Sequence, residues 1–481
     1  MTTTETNGSA VAARSFPDGF LWGAATSAYQ IEGGALEDGR GPSVWDTFSH
    51  TPGKVCRGDT GDIACDFYHR SKKDLDLIKA IGLGAFRFSI SWPRVQPAGC
   101  GPVNKPGLDF YRSLVEELQS RGIVPCITLY HWDLPQALED SGGWANRDTA
   151  QWFAEYAGIV AEAIGEVGSL WITLNEPQIV THHGYRLGMD APGHADNALA
   201  AAATHHLLLA HGLAVAALRS VLSAPRIGIA LNMDAVRAAN REEKKVASVT
   251  EAEQNRIFLD PILHGRYPAK ARKHMLPPPS LIAAGDMEIV STPIDFLGIN
   301  YYQPLYVKLA HPAGLLADEA PIPGRPGVVL CNPKELPRTV AGWLVEPEGL
   351  YDLLRSLSAE LAPGCKLYVT ENGCAANDYV TPEGLVNDIE RVEYLYGHLG
   401  AAWRAIQDGI PLAGYFCWSL LDNFEWGAGY QKRFGLVFVE FGTQRRIRKR
   451  SSYFYESVVK ANELGALDLG CSAPPLVAAT L

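Results

Sequence analysis

Two short stretches of this chain carry a carboxylate in like surroundings. In Thr173-Leu174-Asn175-Glu176-Pro177 and again in Thr370-Glu371-Asn372-Gly373, a glutamate follows directly on a run of β-forming residues, and the residues after it stop regular structure. A pair of carboxyl groups on opposite sides of a cleft is what cleavage of an acetal requires. One protonates the departing oxygen while the other attacks or stabilises the carbon left behind. A single glutamate in such a position is more simply read as the cap of the following helix. Two of them favour the chemical reading.

The runs that end in these glutamates belong to a longer series. Eight segments rich in β-formers, 20–25, 85–90, 124–129, 170–174, 226–231, 296–301, 367–370 and 413–418, alternate with helical patterns. Among the latter, 110–121 sets Leu114, Val115 and Leu118 on one face, and 149–167 is similarly amphipathic. Strand and helix in alternation predict an α/β fold with a parallel sheet. No Gly-rich nucleotide-binding turn follows the first strand, which favours a closed (β/α)8 TIM barrel over a doubly wound sheet. In such barrels reactive residues stand at the C-terminal ends of strands, and Glu176 and Glu371 end the fourth and seventh. The reading is a single domain over 16–465 with long loops at that face, between a disordered segment 1–15 and a tail 466–481. The Pro- and Gly-rich stretch 308–347 has no evident regular element and is expected as a rim loop that shapes substrate access.

Composition excludes other classes. The chain of 481 residues has 42 Lys and Arg against 53 Asp and Glu, a net charge of −11. That disfavours nucleic acid and anionic lipid as partners. The basic run Arg445, Arg446, Arg448, Lys449 and Arg450 is read as a solvated face rather than a polyanion site. The start has neither a basic nor an apolar leader region, and the apolar stretch 198–222 is broken by His205, His206, His211 and Arg219. A buried helix is expected there and no membrane span, and the protein is expected in the cytoplasm. Nine scattered cysteines fit reduced thiols. The pair Cys56 and Cys65 has no histidine ligand nearby, and the doublets His182-His183 and His205-His206 set neighbours on different faces. Core or cleft histidines are expected, and neither a metal nor a cofactor.

The two glutamate motifs, Asn-Glu-Pro at 175–177 and Thr-Glu-Asn-Gly at 370–373, resemble in order and position the signatures of glycoside hydrolase family 1, the β-glucosidase and β-galactosidase family. The resemblance covers roughly 16 to 460. It implies a retaining β-glycosidase with Glu176 as general acid/base and Glu371 as nucleophile, acting on a β-glucoside or oligosaccharide and able to transfer the sugar to other acceptors. Further residues carry over singly. Gln30 in Ser27-Ala28-Tyr29-Gln30 resembles the amide that binds sugar O3 and O4, and His131-Trp132 the pair that reaches O3. Asn175 resembles the holder of the 2-hydroxyl, Glu425-Trp426 the grip on O4 and O6, and Trp418 the platform under the ring. Arg87 resembles the arginine that keeps the nucleophile ionised. Tyr302 resembles its hydrogen-bond donor, and Asn300 of the same Gly-Ile-Asn-Tyr-Tyr segment is a supporting residue. Self-association is left open.

Several rivals remain in view. A 6-phospho-β-glycosidase of the family typically has a small polar residue where Glu425 stands, since a carboxylate repels phosphate. Non-catalytic relatives lose one glutamate, and thioglucosidases carry glutamine in place of Glu176. A phosphate-binding barrel enzyme would need Gly-rich loops after strands seven and eight. Departures fall on the leaving-group side. Gln178 stands where many relatives carry tryptophan, and near the retained Trp343 it is Glu346 that replaces a frequent aromatic. Gluco, galacto and fuco preference stays undecided.

Overall fold

Eight parallel strands close into a barrel in this computed structural model, which describes residues 14–467 apart from 167, 312, 313, 316 and 317. They are β1 (Leu21–Ala25), β2 (Ala85–Ser89), β3 (Val124–Tyr130), β4 (Leu170–Asn175), β5 (Arg226–Asn232), β6 (Phe296–Asn300), β7 (Lys366–Asn372) and β8 (Leu412–Trp418). Each pairs with the next, and β8 closes against β1. The eight expected strands are the eight observed, with ends displaced by a residue or two. Both faces of such a sheet are covered, so the strands read as nearly continuous apolar runs. In β2 every residue is buried. Phe86 and Phe88 face the helical layer, while Ala85 joins Cys126, Ile172, Phe296 and Phe416 in a separate interior cluster. Alternation along the strand therefore sends Arg87 to the same side as Ala85, into the barrel.

The register breaks where the chemistry was expected. Pairing of β4 with β5 shifts between Ile172 and Asn175, and pairing of β7 with both neighbours shifts after Val369. Such irregularities bend a strand and re-aim its last side chains. Here they fall on the ends that carry Asn175, Glu176 and Glu371.

Three expectations change. The stretch 308–347 is not wholly irregular. Val328–Cys331 pairs antiparallel with both Glu319–Pro321 and Pro304–Leu309, which runs parallel to Ala235–Ala238, making a four-stranded sheet beside the barrel. The run Val328-Val329-Leu330 was its sequence signal. The termini also differ: Arg14 and Ser15 pair with Leu464 and Glu463, so ordered chain begins before residue 16. The rest of 1–15, and the tail from 468, lie outside the described residues. The basic run, finally, is not one solvated face, although Arg445 is exposed. Arg446 pairs with Asp74 at 2.9 Å, Arg448 with Glu456, and fully buried Lys449 with Asp378 and Asp422, both at 2.5 Å. Removing one partner of a buried ion network strands the others, so Lys449→Met is expected to destabilise by about 3 kcal/mol. A solvated lysine would cost under about 0.5 kcal/mol, and urea unfolding separates the two. The helix Asn197–Val221 packs inside as expected, with 83% of its most apolar window buried.

Candidate active site

At the C-terminal ends of the strands lies a cavity of about 490 Å³, whose wall includes Glu176, Glu371, His131, Trp132, Tyr302 and Trp418. The two glutamates are 5% and 3% exposed. Glu176 occupies the N-cap position of the short helix Pro177–Ile179, in the left-handed region at φ 46°, but its side chain makes no cap. The simple capping role is thus not what this carboxylate does. Its Oε1 instead accepts from Asn300 Nδ2 at 2.7 Å.

Glu371 has firmer company. Its Oε1 accepts from Arg87 Nη1 at 2.5 Å and its Oε2 from the Tyr302 hydroxyl at 2.6 Å. Arg87, fully buried, also donates to the Thr370 carbonyl, Thr128 Oγ1 and Asn175 Oδ1. That Asn175 oxygen takes a second bond from Asn300 Nδ2 at 3.0 Å, which fixes the amide so that its nitrogen faces His131 Nε2 at 3.1 Å. The Thr370 hydroxyl donates to Asn300 Oδ1 at 2.7 Å and orients that amide in turn. Asn372 ties the strand end down by donating to the Tyr301 carbonyl and the Tyr394 hydroxyl. Gly373 has no room for a side chain, because a Cβ there would lie 1.7 Å from the Trp418 carbonyl oxygen.

These surroundings separate two chemically identical groups. Burial raises both carboxyls above the ordinary range. For Glu371, Arg87, Tyr302 and Asn300 act against that rise. For Glu176 the negative charge of Glu371 adds to it, and Glu176 is held well above the usual carboxylate range. Arg87 and Asn300 act on both groups, but Arg87 and Tyr302 bond Glu371 directly, so the surroundings favour the proton on Glu176 and the charge on Glu371. One carboxylic acid and one carboxylate in a dry cleft can protonate a leaving oxygen and attack the carbon behind it.

The remaining expected aromatic residues and Glu425 line the same cavity, and Gln30 does not. Trp343, Trp426 and Glu425 line it. Trp418 is stacked near His131, with ring centres 5.8 Å apart and planes 16° apart, and Trp132 meets Trp426 at 4.5 Å. Gln30 is fully buried behind this wall. Its Nε2 donates to Asn423 Oδ1 and the Phe424 carbonyl, and its Oε1 accepts from Ser27. The Trp132 indole N–H donates to the Asn175 carbonyl at 3.0 Å, so its polar edge is engaged by protein while its ring faces the cavity. Glu425 is pushed up to about 8 by burial, with the charges of Glu371 and Asp190 adding to it.

The leaving-group side differs most from what the sequence suggested. Glu346 turns away from the cavity to bind Arg237 and Tyr306. Gln178 is buried and donates to the Asn232 carbonyl. The cavity wall also includes residues not singled out for the site, such as Arg186, Asp234, Gln254 and Arg325, together with His182 and His183. The histidine doublet, expected as core or cleft, is a weak signal of this. Thr370 and Asn372, by contrast, sat within the quoted motif.

Comparison with known proteins covers nearly the whole chain. Residues 12–464 match the model of glycosyl hydrolase family 1. The chain is 46% identical over 458 residues to beta-glucosidase A of Thermotoga maritima, covering 94% of this chain and 99% of that one. It is 44% identical over 456 residues to a bifunctional beta-D-glucosidase/beta-D-fucosidase of Bifidobacterium breve, covering 92% and 98%. Among solved structures, the family 1 β-glucosidase of Thermotoga maritima superposes with a TM-score of 0.86, over 93% of this chain and 99% of that one.

Proposed function

The chain belongs to glycosyl hydrolase family 1, whose members are retaining O-glycoside hydrolases, and from that premise we propose that it removes terminal β-D-glucosyl residues through an ester on Glu371. One observation carries the assignment of roles: Arg87 and Tyr302 bond the carboxylate of Glu371, whereas Glu176 is bonded only by the Asn300 amide and feels the charge of Glu371.

In the first step Glu371 Oε attacks the anomeric carbon, the glycosidic C–O bond breaks, and the Glu176 proton goes to the departing oxygen. Asn175, clamped by Arg87 and Asn300, is the residue we assign to the 2-hydroxyl, a contact that strengthens as positive charge grows on the ring. Ester formation removes the negative charge of Glu371 and with it the main electrostatic reason for Glu176 to stay protonated. Glu176, now ionised, takes a proton from water, which attacks the same carbon and releases Glu371 with net retention. Trp418 serves as the platform for the apolar face of the sugar. Glu425, protonated in part at neutral pH, can donate as well as accept toward O4 and O6. All eight described cysteines are free, which supports operation in a reducing cytoplasm.

The charges that bear on Glu425 are both negative, which weighs against a 6-phosphorylated sugar. The resemblance to a glucosidase that also acts as a fucosidase weighs for tolerance at O6. Initial rates on 4-nitrophenyl β-glycosides are expected to show turnover of glucoside and fucoside and little of glucoside 6-phosphate, with β-glucose formed first by proton NMR. Preference for the phosphate, or α-glucose as first product, would overturn the proposal.

A further inference from the structure

An acid with no role in the steps above stands on the cavity wall. Asp234 lies two residues beyond β5, the strand that pairs with β4, and Glu176 directly follows β4. The two strand ends are tied together. The Glu176 backbone N–H donates to the Ala230 carbonyl at 2.8 Å, and Gln178 Nε2 donates to the Asn232 carbonyl at 3.0 Å. Asp234 is itself clamped by Asn255, whose Oδ1 accepts from its backbone N–H at 3.2 Å and whose Nδ2 donates to its carbonyl at 2.9 Å. Its backbone is thus fixed beside the acid/base, and its side chain and that of Glu176 line the same cavity. Asp234 is 7% exposed.

The charge of this carboxylate is only partly answered. Gln254 bonds it, and Gln254 Oε1 in turn accepts from Arg325 Nη2 at 3.0 Å. Arg325 is paired with Glu253 at 3.3 Å and His183 with Asp190 at 3.0 Å, so the two basic groups that act on Asp234 have acids of their own. On its other side Glu251, which accepts from Asn255 Nδ2, is pushed up to about 7 by burial, with the charge of Asp234 adding to it. Burial pushes Asp234 up to about 6, against the Gln254 bond and the charges of Arg325 and His183, which leaves it ionised at neutral pH. The Tyr301 and Tyr302 hydroxyls near these acids are raised well above their ordinary range, by burial first, and stay neutral. A fixed charge in a cavity with little water acts strongly on its neighbours. Burial and the charge of Glu371 raise the Glu176 carboxyl, Asn300 and Arg87 lower it, and Asp234 raises it further. The two acids differ in what the reaction does to them. Glu371 loses its charge when the ester forms, and Asp234 keeps its own.

We propose that Asp234 is a positioning residue for the acid/base: its fixed negative charge holds the proton on Glu176 in the first step and strengthens Glu176 as a base in the second. This rests on the β-glucosidase reading of the same cleft, and adds a residue that acts through Glu176 without touching the sugar.

The test compares wild type with Asp234→Asn, which keeps the shape and removes the charge, and with Asp234→Glu, which keeps the charge. On phenyl β-glucoside, a poor leaving group, the alkaline limb of kcat/KM reports Glu176 as acid. It is expected to move down by about half a pH unit or more in Asp234→Asn and much less in Asp234→Glu. The acid limb reports Glu371, on which Arg87, Tyr302 and Asn300 act, and should move less than the alkaline one. Breakdown of the ester left by 2,4-dinitrophenyl β-glucoside reports Glu176 as base, and its acid limb should also move down in Asp234→Asn. Because the limbs are read on the pH axis, a general loss of activity does not mimic the result. Either Glu176 limb unmoved, or the Glu371 limb displaced equally, overturns the proposal. So does a rise in KM alone, which would make Asp234 a binding group for the leaving group. Asp234→Ser gives the same comparison if the asparagine variant does not fold. If wild type cleaved no glucoside, the glucosidase reading would fail, and carboxyl 13C NMR titration of Glu176, assigned by loss of its signal in Glu176→Gln, would decide separately. A lower titration midpoint in Asp234→Asn would keep the coupling of the two acids, and an unmoved one would end it.

Discussion

Glu371→Gln is expected to lose roughly ten-thousandfold or more in kcat on 4-nitrophenyl β-glucoside, about 5 kcal/mol of barrier. The glutamine amide fills the same space beside Arg87 and Tyr302 but cannot form the ester, and no other ionised carboxyl lies in that position. Stopped-flow release of nitrophenolate measures the loss. Retention of more than a few per cent of the rate would contradict the nucleophile's assignment. In Glu371→Ala, azide can enter the vacated volume and attack the sugar directly. The expected product is then the α-glucosyl azide, identified by its NMR coupling constant.

Glu176→Ala has the opposite signature, because a poor leaving group needs the proton and a good one hardly does. Hydrolysis of cellobiose should fall by about a thousandfold or more, while formation of the ester from 2,4-dinitrophenyl β-glucoside changes little. With no side-chain base for water the ester should persist, and azide, which has no proton to lose, should capture it as the β-glucosyl azide. The pH dependence follows from the raised pKa of Glu176. It works as an acid only while protonated, so wild-type kcat/KM on poor leaving groups should fall as pH rises through that pKa. This alkaline limb should vanish in the variant. The α-azide, or equal losses on good and poor leaving groups, would contradict the acid/base role.

The barrel was legible because its strands are buried on both faces: a run such as Ala85-Phe86-Arg87-Phe88-Ser89 admits few other readings between helical patterns. The ends of β4 and β7 were legible for the same reason, since a glutamate at the C-terminal end of a buried barrel strand stands at the mouth. What the sequence hid depends on side chains meeting across the fold. Lys449 and Arg446 read as surface charges because their partners Asp378, Asp422 and Asp74 are distant in the chain. The sheet around Val328–Cys331 was missed because its strands are three to six residues long and set among Pro and Gly, where periodicity is weak. Part of the cavity wall escaped for a third reason. Arg186 and His182 reach the cavity only through the widened turn of a π-helix, and no local spacing announces that geometry.

The claim that matters most is that the sugar is carried on Glu371. 2,4-Dinitrophenyl 2-deoxy-2-fluoro-β-glucoside tests it most directly, since fluorine at C2 slows both steps by opposing positive charge on the ring while the good leaving group still departs. The account predicts a burst of one dinitrophenolate per active site, a matching mass gain on the intact protein, and after proteolysis a single labelled peptide with the sugar on Glu371. A label on Glu176 or any other residue, or inactivation without covalent attachment, would contradict it.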